Sequence, residues 1–233
     1  MAEAGDGAGA GSAIADPPDV FLSDLHIERE PVRGMSLWNR IKLSYSDMRK
    51  TTRVLIDEHP SEARLLFFVL LSDVVFFLSR GVALVIAPGS PAHNILPENI
   101  GIWLVFVFLG RTLSLYAFSA LVAVICRAFG GVGGWRETRT GVFWASLVAA
   151  PIGVAGALVV AAFSRLEQFF PIFGDPSVAL PPQWIGIVAF VFFLSAGVAE
   201  AHRFRRTSPV FITFSVLTVF LSLAGIYIYV NNF

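Results

Sequence analysis

The sequence predicts an all-α integral membrane protein with five transmembrane helices, preceded by a disordered N-terminal tail and an amphipathic interfacial helix. Hydrophobic residues make up 55% of the 233 residues and charged residues only 15%, whereas soluble domains carry about 25% charged residues. Five apolar segments of membrane-spanning length follow one another. Their connecting loops alternate between arginine-rich and nearly free of arginine and lysine.

The composition of residues 1–34 predicts the disordered tail, which we expect on the cytoplasmic side. Residues 1–18 are small and acidic, and such a segment cannot bury enough apolar surface to offset its conformational entropy. In residues 19–30, apolar and acidic side chains are mixed. This segment is either more tail or a short docking motif that folds on a partner through Phe21, Leu22, Leu25 and Ile27.

Residues 35–59 predict a single amphipathic helix, because apolar residues recur every three or four positions and basic residues occupy the remaining surface. A basic helix with tryptophan on its other side is suited to the headgroup layer of an anionic leaflet. The alternative is a helix packed on the cytoplasmic loops. On the first interpretation the residues that contact anionic lipid are Trp38, Arg40, Lys42, Arg49, Lys50 and Arg53.

Residues 60–233 predict the five-helix transmembrane domain. Each apolar segment is close to the roughly 20 residues that cross about 30 Å of hydrocarbon. The segments span about 64–87, 100–126, 141–164, 184–202 and 209–230.

The distribution of arginine and lysine predicts the orientation of these helices. The N-terminal region and the second and fourth loops are basic, whereas the first loop and residues 231–233 have no arginine or lysine. Because basic loops stay in the cytoplasm, we expect a cytoplasmic N-terminus and an external C-terminus.

Arginine outnumbers lysine, and alanine, glycine and valine are abundant. This composition is typical of a bacterial protein and indicates the bacterial inner membrane.

The third apolar segment carries a ladder of small residues at every fourth position. Such a ladder lets helices approach closely where lipid gives no hydrophobic drive for their association. Spacing of four drifts around a helix with 3.6 residues per turn, so we expect this helix to pack against two neighbours at the centre of the bundle. The ladder consists of Gly141, Ala145, Ala149, Gly153, Ala157 and Ala161.

Three ionisable residues lie well inside the predicted membrane segments: Asp73 and Arg80 in the first, and Arg111 in the second. Intramembrane charges are costly and are usually paired or functional. In an antiparallel hairpin, Arg111 falls between the other two in depth. We therefore expect an ion pair between Asp73 and Arg111, with Arg80 reaching the outer interface or an external acid.

The residue patterns give no positive indication of an enzyme, a metal site or a cofactor. The single cysteine, Cys126, excludes an internal disulfide. Glu200 and His202 do not share a helix face and make a poor metal pair, so we expect Glu200 to neutralise a neighbouring arginine instead. The glycine run 130–134 lacks the following Lys-Ser/Thr of a phosphate-binding loop.

Two segments carry a resemblance to a known family. Residues 129–138 (FGGVGGWRET), leading into the small-residue helix with Pro151, and residues 200–204 (EAHRF) are similar to the Yip domain family. This is the family of Ypt/Rab-interacting membrane proteins, and the chain resembles its bacterial members. The resemblance implies five spanning helices after a cytoplasmic N-terminal region. The Asp-Leu-Tyr-Gly-Pro motif of eukaryotic members is missing, so we do not expect a GTPase partner.

These observations favour a non-enzymatic membrane organiser or accessory subunit that binds a larger membrane protein complex, lipid, or both. We expect anionic inner-leaflet lipid and a membrane protein complex as partners, and no nucleic acid. The alternative is a small transporter or lipid-handling protein that uses Asp73, Arg80 and Arg111. That function requires a water-accessible cavity that reaches Asp73.

Overall fold

A computed structural model of the chain describes residues 34–86, 100–175, 178 and 181–232. The predicted tail, including its docking residues Phe21, Leu22, Leu25 and Ile27, lies outside the described residues. The described part is built of helices, apart from short connections. In chain order they are α1 (Leu37–Ser46), α2 (Met48–Asp57), α3 (Glu62–Ile86), α4 (Ile100–Ala128), α5 (Trp135–Leu166), a short 3₁₀ helix (Pro171–Gly174), α6 (Pro181–Ala201) and α7 (Ser208–Asn232).

The prediction of one interfacial helix over residues 35–59 was wrong, because the segment forms two helices that break at Asp47. The backbone of Asp47 is non-helical, with φ −144° and ψ 81°, and its side chain accepts a hydrogen bond from the Lys50 N–H. Asp47 thereby caps the start of α2, which competes with a continuous helix. The two helices fold back on each other, with the Ser44 and Thr51 hydroxyl oxygens 2.8 Å apart. We call α1 and α2 together the α1–α2 hairpin.

The apolar face of the α1–α2 hairpin packs against the helix bundle. Ile41, Met48 and Leu55 are buried. The Trp144 indole N–H on α5 donates to the Ser44 hydroxyl at 3.1 Å, and the Tyr45 hydroxyl donates to the Val148 carbonyl at 3.0 Å. The segment is therefore packed on the helices of the bundle, whereas the alternative interpretation of its sequence placed it on the cytoplasmic loops.

Four helices of the described residues, rather than the predicted five, are long and apolar enough to cross a membrane. They cover Val105–Ala128, Trp135–Leu166, Trp184–Ala201 and Ser208–Gly225. The first predicted span, α3, is helical over its 25 residues but is not among the four. Its sequence includes the charged residues Glu62, Arg64, Asp73 and Arg80.

Helix α5 is the centre of the bundle and packs mainly against α3 and α6, as the small-residue ladder predicted. Ladder residues Gly141, Ala145, Ala149 and Ala161 are buried, whereas Gly153 and Ala157 are partly exposed. At Gly141 the backbones of α5 and α6 meet: an added Cβ atom would lie 2.9 Å from the Gly197 carbonyl oxygen. Glycine at both positions permits this close approach.

Helices α3 and α5 run in the same direction. The Arg139 guanidinium pairs with Glu62 at 2.7 Å near the first residues of both helices. Near their last residues, Arg165 donates to the Ile86 carbonyl. Helix α3 therefore lies alongside α5 over its whole length.

We predict that Gly141→Ala destabilises the protein while Gly153→Ala does not. A methyl group at position 141 meets the α6 backbone, and such overpacking costs about 1–3 kcal/mol. An added Cβ atom at Gly153 meets no other atom within 4 Å, and alanine is the better helix former. Thermal unfolding of both purified variants in one detergent measures the difference. Equal melting temperatures would show that the α5–α6 contact is looser than described.

Candidate functional site

Polar side chains, several of them buried, gather at the end of the bundle where α6 ends and α5 begins. We call Arg49, Arg53, Thr138, Glu200 and His202 the polar cluster. The Glu200 side chain on the last turn of α6 is only 6% exposed, and one carboxylate oxygen accepts from Arg49 Nε at 2.9 Å. The other oxygen pairs with Arg53. Two arginines of α2 thus neutralise a buried carboxylate that lies about 150 residues later in the chain.

Arg49 also fixes the chain that follows α6. Its NH2 group donates to the Phe204 carbonyl at 2.8 Å, and its NH1 group donates to the Arg205 carbonyl at 3.4 Å. Since α2 belongs to the α1–α2 hairpin, these bonds join the hairpin to the α6–α7 connection. The sequence predicts that Glu200 pairs with an arginine close to it in the chain, whereas its partners Arg49 and Arg53 lie about 150 residues earlier.

His202 is the second buried group of the polar cluster, with 1% of its surface exposed. Its Nε2 atom lies 2.9 Å from the Thr138 hydroxyl oxygen, and that hydroxyl donates its proton to the Gly134 carbonyl at 2.9 Å. Nε2 therefore carries the proton and donates to Thr138. Nδ1 is buried with no hydrogen-bond partner in the described residues. Burial lowers the pKa of His202, and the positive charge of Arg127 lowers it further.

The glycine run between α4 and α5 packs directly against His202. An added Cβ atom at Gly131 would lie 2.7 Å from His202 Nδ1 and 2.8 Å from the Cys126 carbonyl oxygen. The Phe204 ring stacks on the His202 ring, with a centroid distance of 6.0 Å. The two segments that carry the family resemblance, 129–138 and 200–204, therefore form one contact. The glycine run 130–134 is the feature of the sequence that could have indicated this contact, because side chains at Gly131 and Gly133 would collide with His202 and Ala201.

The arginines predicted to contact anionic lipid form ion pairs with carboxylates of the protein. Arg40 is 7% exposed and forms a bidentate ion pair with Glu58, at 3.0 and 2.6 Å, while Arg49 and Arg53 hold Glu200. The prediction was wrong for Arg40, which is buried. For Arg49 and Arg53, whose side chains are partly exposed, a lipid contact stays a prediction.

The remaining residues of the predicted lipid surface point outward. Lys42 and Lys50 are exposed, and Trp38 is 58% exposed. The Lys42 ammonium group lies over the Trp38 ring, 5.3 Å from its centroid. A lipid contact at these three residues stays a prediction.

The predicted ion pair between Asp73 and Arg111 is present and joins α3 to α4. Asp73 is 3% exposed, and its second carboxylate oxygen accepts from the Thr112 hydroxyl at 3.2 Å. Arg111 also donates to Ser72 at 3.2 Å and to Ser146 on α5 at 3.4 Å. Three helices thus share one polar network. The side chain of Arg80 lies outside the described part of the chain.

Within the described residues, no three His, Cys, Asp or Glu side chains are grouped so that they could hold a metal ion.

Among known proteins, a family model described as the Yip1 domain matches residues 43–229, which is well over half of the chain. No curated protein and no solved structure matches the chain.

We predict that the protein loses stability as the pH falls below the ordinary pKa of histidine, about 6.5. The unfolded chain binds a proton at that pKa, whereas buried His202, whose pKa is lowered, resists protonation until a lower pH. Acid therefore favours the unfolded state in this window. Melting temperatures between pH 7.5 and 5.5 measure the effect.

In the same pH series, His202→Gln removes the titrating group and should flatten the curve. The exposed His59 provides the control, and His59→Gln should keep the wild-type dependence. A wild-type curve that is already flat would contradict the prediction, as would a flat curve for His59→Gln.

Proposed function

This chain belongs to the Yip1 domain family, and we propose that it is a non-enzymatic membrane organiser or accessory subunit that binds a larger membrane protein complex, lipid, or both. The observation that carries the proposal is the outward surface of two helices. In the apolar stretch of α4 that is long enough to cross a membrane, only 11% is buried within the described protein. In the corresponding stretch of α7, only 6% is buried. In a bilayer, such surfaces meet lipid or the helices of another protein.

Helix α7 offers the less buried of these two surfaces. It contacts α6, for example through the Phe211 and Phe192 rings, whose centroids are 6.3 Å apart. Its other side carries large exposed side chains, namely Val216, Val219, Phe220, Leu221 and Leu223. A helix with this pattern suits an accessory subunit that packs at the side of a larger membrane assembly.

The polar residues inside the bundle support an organising role over transport. A transport site usually has broken helices and polar groups that converge near the middle of the membrane, whereas α3 and α4 are continuous around Asp73 and Arg111. The Asp73 carboxylate is buried and held by Arg111 and Thr112. Its geometry suits a bond between helices.

We place the protein in the bacterial cytoplasmic membrane, with the polar cluster at the cytoplasmic face. Contacts support a common level for three basic segments: Arg49 on α2 reaches the α6–α7 connection, and Arg136 at the start of α5 donates to the carbonyl of Pro60. Basic segments stay in the cytoplasm. In this proposal α3 accompanies α5 through the membrane, its Asp73 charge neutralised by Arg111, and the C-terminus lies outside.

We predict that the full-length chain, extracted from its own membrane in mild detergent, elutes with a stoichiometric membrane protein partner. Replacing Phe21, Leu22, Leu25 and Ile27 with serine should release that partner, because the proposed docking motif would lose its apolar anchors. Size-exclusion chromatography with mass spectrometry of the eluted complex measures this. The four-serine chain should itself stay monodisperse.

A deletion of residues 2–15 is the matched control, because it shortens the same tail outside the proposed motif and should leave the complex intact. A wild-type chain that elutes alone, without a partner, would contradict the accessory-subunit proposal. A complex that survives the four serine substitutions would place the docking surface outside the tail.

A further inference from the structure

A groove of ≈ 250 Å³ lies between α1 and α3, at the open side of the α1–α2 hairpin. It has an apolar part and a charged part. The residues that line it are Met35, Leu37, Arg40, Arg64, Phe67 and Phe68.

The charged part of the groove has a surplus of one positive charge. Arg40 and Arg64 share the carboxylate of Glu58, at 2.6 and 2.8 Å. The hydrogen bond from Arg40 keeps the pKa of Glu58 below its usual range, so the carboxylate stays ionised at neutral pH. Two guanidinium groups around one carboxylate leave a net charge of about +1.

Arg64 is the cation that is open to a ligand. Its side chain is 40% exposed, against 9% for Arg40. Its guanidinium lies 5.8 Å from the centroid of the Phe68 ring, which fixes its position above the apolar part of the groove. A guanidinium has five N–H donors and binds phosphate oxygens well.

The apolar part of the groove begins where α3 approaches the membrane level of α5. Glu62 is paired with Arg139 at the polar end of α5, and Phe67 lies five residues further along, about 8 Å deeper at 1.5 Å per residue. The neighbouring Phe68 ring contacts Trp144, with centroids 5.3 Å apart. Phe67 is 51% exposed, and Leu66 and Leu70 are also exposed. This apolar surface faces outward from the bundle.

We propose that the groove binds an anionic phospholipid, with the phosphate group at Arg64 and an acyl chain along Phe67. A net positive mouth, above an apolar surface that continues toward the membrane, matches a ligand with an anionic head and a hydrocarbon tail. An acidic peptide would satisfy the charge but would have no use for the outward Phe67, Leu66 and Leu70. The inference rests on the lipid-binding part of the proposed function and names its site and its lipid class.

Thermal unfolding of the full-length protein in mixed micelles tests the site, with phosphatidylglycerol compared with phosphatidylcholine at equal mole fraction. The wild type should melt higher in phosphatidylglycerol. Arg64→Gln should lose most of that difference, each variant being compared with itself in phosphatidylcholine. Phe67→Ser alters an exposed position and should reduce the difference without loss of the fold.

Arg205→Gln is the matched control, since it removes an exposed cation outside the groove and should keep the full difference. Equal losses for Arg64→Gln and Arg205→Gln would overturn the proposal in favour of diffuse charge attraction. A wild type that does not distinguish the two lipids would also overturn it, as would glycerol phosphate alone giving the whole stabilisation. Partner co-elution should be unchanged in Arg64→Gln, so failure of the lipid site is distinguishable from failure of the accessory-subunit proposal.

Discussion

A buried carboxylate needs a positive charge within the protein to compensate for its lost hydration. For Glu200 that charge comes from Arg49 and Arg53. Loss of one partner from a buried ion pair typically costs about 3–5 kcal/mol, because it leaves an uncompensated charge. Since Arg53 is itself 52% exposed, the value here falls below that range. These two pairs fasten the α1–α2 hairpin to the end of α6. The hairpin thereby becomes part of the bundle, with Arg49 and Arg53 bound to a buried carboxylate.

The close packing of α5 on α6 places the rest of the polar cluster. Because Gly141 and Gly197 let the two backbones meet, the start of α5 comes beside the end of α6. Thr138, one turn before Gly141, then reaches His202, and the glycine run before α5 covers the imidazole ring. A single helix–helix contact within the apolar region thus determines where the polar groups beyond it meet.

The sequence was sufficient for features that depend on local pattern or on depth along a helix. The long apolar helices, the central position of α5 and the Asp73–Arg111 pair follow from apolar length, small-residue spacing and a count of residues from the helix ends. Features that depend on a distant partner could not be predicted. The outward or inward direction of Arg40, Arg49 and Arg53 is decided by Glu58 and Glu200, and helical periodicity gives no information about either carboxylate. The break at Asp47 depends on one side chain, which caps the start of α2 by accepting from the Lys50 N–H.

Hydrogen–deuterium exchange across residues 37–57 tests most directly whether the Glu200 ion pairs hold the α1–α2 hairpin on the bundle. In Glu200→Gln the amide groups of α1 and α2 should exchange faster than in the wild type, while the α5 amide groups around Gly141 should be unchanged. Glu62→Gln, which removes a carboxylate that is 56% exposed, should leave exchange in the hairpin at the wild-type rate. Wild-type exchange in Glu200→Gln would contradict the account, because the hairpin would then be held by its apolar face alone.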